Sequence, residues 1–204
     1  MVFDVGDKKM GYFHAPKCGS RTIISWIALI KEPNLIKKYP EWFEESRQHL
    51  EYYEIRKKLN PASYDDFYIK FCVVRDPVDR FLSMYTNRVL FHQKIKNFDC
   101  SIGISEFIEC FDNMIDTKNF EDVKRHSEPL TYHLGTDPFF YTHIFNIKQL
   151  DKVKYLIEEI YDVKLPNLHL QKSGNIEKPK LNGEQIDWIK NKYQKDYEVY
   201  GKWM

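Results

Sequence analysis

Residues 12–25 read YFHAPKCGSRTIIS, and this stretch decides how the rest of the chain is organised. The apolar residues from Met10 to Phe13 are typical of the end of a buried strand, which Pro16 and Gly19 would break. Ser20 is a favoured N-cap residue, and isoleucines recur behind it at helical spacing. The sequence therefore predicts a strand, a tight turn and a helix capped by Ser20.

The predicted turn has the donors of a phosphate site. A helix that begins after a glycine directs its first amides, here those of Gly19 to Thr22, at whatever lies above the turn, and the helix dipole favours an anion there. Lys17 adds a positive charge, and Ser20 and Thr22 add hydroxyl donors. We interpret the stretch as a phosphate cradle. The alternative is an ordinary strand-to-helix turn with an incidental lysine.

The cradle differs from the Walker loop of nucleoside-triphosphate enzymes. In that loop the lysine directly follows the second glycine, and a hydroxyl that binds Mg²⁺ directly follows the lysine. Here Lys17 precedes Gly19, and no glycine stands where the Walker pattern requires its first one. A metal-dependent kinase or nucleotidase is therefore the less favoured interpretation, although it stays an alternative.

A second segment, FYIKFCVVRDP at residues 67–77, predicts another strand followed by a helix. The β-prone run from Tyr68 to Val74 is typical of a strand buried on both faces of a parallel sheet. Pro77 suits the first turn of a helix, and Asp76 can cap it. Arg75 then falls at the carboxyl end of the strand, where open α/β sheets bind ligands. Core residues recur along the predicted helix, and its other face carries Arg80, Ser83 and Asn87.

Further strands and helices complete an α/β pattern. We expect a strand over Tyr141 to Ile147 with a helix behind it, a helix over Ser105 to Met114 capped by Ser105, and a last helix opened by Asn182. The stretch from Asn119 to His133 is predicted to be a polar, basic loop, which either faces an anionic or hydroxylated acceptor molecule or is simply solvated. The fold class is therefore α/β of the P-loop type, with a central parallel sheet between helices on both faces.

Length, charge and cysteine spacing limit the class of protein. A chain of 204 residues suits one α/β domain, so a single domain is expected over 1–204. Its 31 basic and 30 acidic residues leave a net charge of +1, so no overall basic surface indicates nucleic-acid binding. Residues 23–30 are the longest apolar run of the first helix and are too short to cross a bilayer. The four cysteines form no C-x-x-C pair, which favours reduced thiols and a cytoplasmic location over disulfides or zinc.

Two motifs together resemble one enzyme family. The pattern R-D-P-x-x-R-x-x-S-x-Y begins at Arg75 and ends at Tyr85, and it resembles the 3′-phosphate-binding segment of the Golgi-type carbohydrate sulfotransferases, the family of the heparan 2-O-, chondroitin and dermatan enzymes. HAPKCGSRT, at residues 14–22, resembles the donor loop of that family. The resemblance implies 3′-phosphoadenosine 5′-phosphosulfate (PAPS) as donor substrate, with no metal ion.

The resemblance also implies a set of donor-binding residues. Lys17 and the amides of Gly19 to Thr22 would hold the 5′-phosphosulfate, and Arg75 with Ser83 would hold the 3′-phosphate. A late loop that contains Lys172 and Ser173 is similar to the family's loop over the adenosine, although an ordinary polar turn is an equal alternative. The complete donor-binding set is Lys17, Cys18, Gly19, Ser20, Arg21, Thr22, Arg75, Ser83, Lys172 and Ser173.

Two histidines are candidates for the catalytic base, which would join Lys17 as a catalytic residue. His49 stands some two dozen residues before the R-D-P segment, where family members often carry a histidine that serves as base. His126, in RHSEPLTY, resembles a second family segment of the type H-x-x-P-Q, with Leu130 in place of glutamine. It is the alternative base or an acceptor-binding residue. His14 is interpreted as structural, fixing the donor turn.

The sequence thus predicts an enzyme that moves the sulfuryl group of PAPS to an acceptor hydroxyl, with a glycan favoured as acceptor, and releases 3′-phosphoadenosine 5′-phosphate. A small-molecule kinase and a non-catalytic nucleotide-binding protein are the alternatives. The sequence leaves the acceptor, the regiochemistry and the oligomeric state open.

Overall fold

The computed structural model describes residues 2–6, 9–38, 67–95, 98–168 and 176–204. The candidate base His49 and the predicted late-loop residues Lys172 and Ser173 lie outside these ranges. The prediction of a single domain over 1–204 stays a prediction.

A four-stranded sheet forms the centre of the described structure. The strands are β1 (Val2–Gly6), β2 (Met10–Phe13), β3 (Ile69–Val74) and β4 (His143–Asn146), and they lie side by side in that order. β2, β3 and β4 are mutually parallel. Phe13 of β2 lies opposite Cys72 of β3, and Val74 of β3 lies opposite Asn146 of β4.

The sheet is mixed, which corrects the prediction of a parallel sheet. β1 pairs antiparallel with β2. Only residues 7–9 separate the two strands, and a connection of that length closes a hairpin but cannot carry the crossover that a parallel pair needs. The three parallel strands still present their carboxyl ends at one edge, and the candidate site residues Lys17 and Arg75 follow two of these ends.

Helices surround the sheet, in agreement with an α/β fold. The α-helices of the described ranges are α1 (Ser20–Lys31), α2 (Leu35–Lys38), α3 (Pro77–Met84), α4 (Ile104–Met114), α5 (Glu121–Ser127), α6 (Leu130–Leu134), α7 (Leu150–Tyr161), α8 (Gly183–Lys192) and α9 (Gln194–Tyr200). A π-helix (Tyr85–Phe91) continues α3, and short 3₁₀ turns occur at Lys118–Phe120, Pro138–Phe140, Ile147–Gln149 and Gly201–Trp203.

Two apolar clusters form the core. The larger one lies around the sheet and α1, where Tyr12 of β2 stacks on Phe71 of β3 with ring centroids 5.1 Å apart. The second one joins α3 and the π-helix to α4 and α8 through contacting rings such as Phe81, Phe111 and Trp188. The two strand-to-helix units that carry the sequence motifs are therefore each supported by packed aromatic side chains.

Two predicted helix starts are confirmed. Asp76 caps α3, because its Oδ1 accepts from the amides of Val78 at 2.9 Å and Asp79 at 3.2 Å. Asn182 caps α8 by accepting from the amide of Gln185 at 2.9 Å. These caps could be predicted from the sequence, because an Asp or Asn side chain accepts hydrogen bonds from amides that a helix start leaves unpaired.

Two predicted caps are wrong. α1 is preceded by Gly19 in a left-handed conformation (φ 73°), and Ser20 is already the first helical residue. α4 begins at Ile104 behind Gly103, so Ser105 lies inside the helix. The side chain of Glu106 accepts from the Gly103 amide at 3.0 Å and supplies part of the cap that Ser105 was expected to make.

The predicted polar loop from Asn119 to His133 is also wrong, because most of it is helical. Phe120 and Val123 are fully buried in the second apolar cluster and anchor α5 there. The acidic residues of α5 stand in its first turn and its basic residues in its last turn, in the arrangement that the helix dipole favours. The predicted strand over 141–147 is shorter, as β4, and follows a 3₁₀ turn.

Candidate functional site

The turn between β2 and α1 is held in an unusual backbone conformation. Lys17 and Gly19 both have positive φ, 67° and 73°. A Cβ on Gly19 would lie 3.0 Å from a methyl carbon of Leu150 at the start of α7, so a side chain there meets both strain and crowding. The first helical hydrogen bond runs from the Ile23 amide to the Gly19 carbonyl at 3.3 Å. The turn therefore directs the N-terminus of α1 at the carboxyl edge of the sheet.

The R-D-P segment is bound directly to this turn. Nη1 of Arg75 donates to the Lys17 carbonyl at 3.3 Å, and Nε of Arg80 donates to the Pro16 carbonyl at 3.1 Å. The two sequence motifs, which are 58 residues apart at the first of these contacts, thus form one site.

Arg80 corrects an expectation. The helical spacing placed it on a polar face with Ser83 and Asn87, but it is 2 % exposed. Besides the Pro16 carbonyl, its guanidinium donates to the carbonyl of His126, in the last turn of α5, and to the carbonyl of Glu128, which directly follows α5. Arg80 is buried and donates to three backbone carbonyls, so it connects the turn to α5 and has a structural role.

Arg75 keeps a donor available at the end of β3. Its Nε is buried and has no hydrogen-bond partner within the described structure. Burial also lowers the pKa of Arg75, with the carboxylate of Asp79 acting in the opposite direction. A buried donor without a partner costs free energy, which a bound anion would recover.

The residues beside Arg75 fix its position. Asp76 uses one carboxylate oxygen as the cap of α3, and its other oxygen accepts from the Tyr197 hydroxyl at 2.9 Å. Ser83 lies partly exposed on α3, the helix that starts two residues after Arg75. Ser83 is therefore on the helix that follows Arg75 directly in the chain, and its part in a shared site with Arg75 stays a prediction.

The Lys17 ammonium points at the π-helix. Its Nζ donates to Oδ1 of Asn87 at 2.9 Å. Burial, together with the guanidinium groups of Arg88 and Arg75, lowers the pKa of Lys17 from 10.5 to about 7, although Asp122 acts in the opposite direction. Positive charge is thus in excess around the turn, and an anion would relieve the repulsion and restore the charge of Lys17.

His126 is part of a buried cluster next to this lysine. Nη2 of Arg88 lies 2.7 Å from Nε2 of His126, and Nδ1 of His126 lies 2.7 Å from the Asp122 carbonyl oxygen. Because arginine can only donate, Nε2 accepts and Nδ1 carries the proton. Burial and Arg88 lower the pKa of His126 from 6.5 to about 3. The imidazole is therefore neutral, and the nitrogen that could take a proton is occupied by Arg88.

Other predicted residues contribute in simpler ways. Cys18 is fully buried, and burial raises the pKa of its thiol to about 11, so only its backbone can take part. Thr22 is buried, whereas Ser20 and Arg21 are partly exposed in the first turn of α1. The His14 ring packs edge-on against Phe3, with centroids 6.0 Å apart. That contact agrees with a structural role for His14.

The sequence did not indicate Arg88 and Asp122, or the partner of Lys17. Asn87 was noted as polar but without a role, since its direction depends on a π-helical turn that the apolar spacing does not reveal. Asp122 was assigned to a loop. No pattern in the sequence around Arg88 or Asp122 could have predicted that either residue lies beside Lys17.

Within the described ranges, no group of three or more His, Cys, Asp or Glu side chains could hold a metal ion. No described helix is both long enough and apolar enough to cross a membrane. Comparisons with curated proteins and with solved structures each gave no match. The family model described as "Sulfotransferase family" matches residues 2–202, almost the whole chain, and the protein therefore belongs to the sulfotransferase family.

Proposed function

We propose that this protein transfers the sulfuryl group of PAPS to a hydroxyl of a carbohydrate and releases 3′-phosphoadenosine 5′-phosphate. The observation that carries the proposal is the hydrogen bond from Arg75 Nη1 to the Lys17 carbonyl. It joins two cationic residues at the carboxyl ends of neighbouring parallel strands into one site. A donor with phosphates at both the 3′ and 5′ positions has the charge distribution that such a pair can bind.

Lys17 and the first turn of α1 form the 5′ end of the proposed site. During transfer, the acceptor oxygen attacks sulfur in line, the bond from sulfur to the bridging oxygen breaks, and negative charge accumulates on the departing 5′-phosphate. The ammonium of Lys17 and the helix N-terminus face this charge. The lowered pKa of Lys17 suits this role, because binding the anion would favour the protonated lysine.

Arg75 and Ser83 form the 3′ end. The buried Nε of Arg75 supports this assignment, since a phosphate oxygen would satisfy it. The fork of a guanidinium also matches the oxygens of a phosphate, which a lysine would not.

Replacing Arg75 with alanine should weaken the binding of nucleotides that carry a 3′-phosphate by about 1.5–3 kcal/mol, because a charge-assisted contact is lost. Adenosine 5′-phosphosulfate, which lacks that phosphate, should lose much less. Titration calorimetry with both nucleotides measures the difference. Since Arg75 also holds the Lys17 carbonyl, Arg75→Lys is the matched control, and it should recover only part of the affinity. Equal losses for both nucleotides would mean that Arg75 only supports the turn.

The acceptor hydroxyl needs a base, and we assign this role to His49. His126 is less suited, because its Nε2 already accepts from Arg88 and its pKa is far below neutral. A base that takes the proton during transfer contributes about 10²- to 10⁴-fold to the rate. His126 and its partners border Lys17, which suits an acceptor-binding role.

An acceptor array incubated with ³⁵S-labelled PAPS tests the proposed function. The array should contain glycans of different sulfation state beside phenolic and aliphatic alcohols, and label should appear on a glycan. Label on a non-carbohydrate alone would overturn the carbohydrate assignment but keep sulfuryl transfer. Donor binding without labelling of any hydroxyl would indicate a non-catalytic nucleotide-binding protein. Consumption of ATP·Mg²⁺ with indifference to PAPS would indicate a kinase.

A further inference from the structure

In the described part of the chain, the Lys17 ammonium donates one side-chain hydrogen bond, and its acceptor is Asn87. Its Oδ1 accepts from Nζ at 2.9 Å, across 70 residues of sequence. Asn87 is 4 % exposed, so water does not compete freely for this amide. A buried amide with a cation as partner has a defined orientation, with the oxygen toward the lysine.

The backbone around Asn87 is also held. Asn87 lies in the π-helix Tyr85–Phe91, and its carbonyl accepts from the His92 amide at 3.1 Å, the five-residue spacing of a π-turn. The Arg88 carbonyl accepts from the Lys94 amide at 2.9 Å. π-Turns are rare in proteins overall, but those that occur are often found at functional sites. The extra residue in such a turn rotates the side chains away from their α-helical direction. Here the turn directs Asn87 at Lys17 while Arg88 contacts His126.

We propose that Asn87 is a positioning residue for sulfuryl transfer: its amide oxygen fixes the direction of the Lys17 ammonium, and because the amide is neutral it leaves the lysine charge for the donor. This inference rests on the proposed function. An ammonium has three N–H donors, so the bond to Asn87 leaves two for the 5′-phosphosulfate.

The neutrality of Asn87 matters because of the charges that face Lys17. Arg88 and Arg75 are positive, Asp122 is negative, and the Cys18 thiol and the His126 imidazole are neutral at pH 7. The surroundings are therefore cationic and attract the donor. A carboxylate in the place of the Asn87 amide would pair with Lys17 and compete with the anionic donor.

Three variants test the inference: Asn87→Leu, Asn87→Asp and, as matched control, Thr86→Val. Leucine removes the acceptor with little change of size, whereas aspartate keeps an oxygen but adds a charge. Thr86 is the neighbouring buried residue of the same π-helix, and its hydroxyl has no partner in the described structure, so valine there perturbs packing alone. Melting temperatures without nucleotide establish that each variant folds.

For Asn87→Leu, kcat should fall by about 10- to 100-fold while the KM for PAPS changes little, because the lysine is no longer aimed at the leaving group. For Asn87→Asp, the affinity for 3′-phosphoadenosine 5′-phosphate should fall by about tenfold or more. In the same variant without nucleotide, pH-dependent acetylation of Lys17, followed by peptide mass spectrometry, should shift to higher pH because the carboxylate favours the ammonium. Thr86→Val should resemble the wild-type protein in all three measurements.

The outcomes separate the inference from the proposed function. Wild-type activity with an unchanged kcat in Asn87→Leu would overturn the inference alone, as would undiminished nucleotide affinity in Asn87→Asp. An unshifted acetylation profile in Asn87→Asp would also overturn it, and that readout needs no donor. Failure of the wild-type protein to bind 3′-phosphoadenosine 5′-phosphate would overturn the proposed function and the inference together. If Asn87→Leu does not fold, the near-isosteric Asn87→Asp decides.

Discussion

Replacing Lys17 with methionine is expected to lower the turnover number by about two to three orders of magnitude, as when one preorganised donor to a developing negative charge is removed. Methionine keeps the length of the side chain but cannot donate to the departing 5′-phosphate. The loss should lie in kcat more than in the KM for PAPS, because the charge on the leaving group grows during transfer. Single-turnover measurements with labelled donor give the rate of the chemical step.

Lys17→Met should also make the protein more stable when no nucleotide is added. A raised melting temperature therefore shows that the variant is folded. The folded-state pKa of Lys17 is about 7, against 10.5 for an exposed lysine. Below pH 7 the folded protein must carry this ammonium, and the cost disappears as pH rises toward the unfolded pKa. Lys17→Met should therefore raise the melting temperature most below pH 7, with a gain that shrinks at alkaline pH. Near-wild-type turnover in a folded variant would contradict the catalytic role.

Replacing His49 with alanine is expected to lower turnover by about two to four orders of magnitude while leaving the affinity for 3′-phosphoadenosine 5′-phosphate nearly intact. The reason is chemical: a neutral imidazole can take the proton that the acceptor hydroxyl loses as it attacks sulfur. A residue that acts only on the acceptor should leave donor binding unchanged. Initial rates with saturating donor, together with calorimetric titration of the nucleotide, measure the two effects separately.

His126→Ala is the matched control for this prediction. Its Nε2 is occupied by Arg88 and its proton is on the other nitrogen, so the variant should chiefly raise the KM of the acceptor. Abolished turnover in His126→Ala with an active His49→Ala would exchange the two roles. Full activity in both variants would exclude both histidines as the base.

The parts of the site that the sequence predicted are those where a local signal fixes the structure. Asp76 before Pro77 indicated a helix start, because the side chain of one and the ring of the other suit its first turn. The apolar run before Arg75 indicated a buried strand with that arginine at its end. Pro16 and Gly19 indicated a tight turn after the strand, and Lys17 and Gly19 have the left-handed conformation of a tight loop. Anion binding by this turn stays a prediction.

The rest depended on contacts between distant residues. Arg80 was placed on a polar helix face by its spacing, but carbonyls from two other segments draw it into the interior. Asn87 faces Lys17 because a π-turn changes the helical phase. No residue type in Tyr85–Phe91 predicts such a turn from the sequence. The sequence predicts a loop in place of helix α5, because most of this stretch is polar or charged. The helix is held by the burial of Phe120 and Val123.

We propose that Lys17 and Arg75 form one site for a 3′,5′-bisphosphorylated adenosine nucleotide. The most direct test is the melting temperature of the wild-type protein with 3′-phosphoadenosine 5′-phosphate in the presence of EDTA, compared with ATP·Mg²⁺. A ligand that binds only the folded state stabilises it by mass action, so the bisphosphate should raise the melting temperature without any metal ion, and by more than ATP·Mg²⁺ does. Stabilisation by ATP·Mg²⁺ with no response to 3′-phosphoadenosine 5′-phosphate would contradict a nucleotide site of this kind.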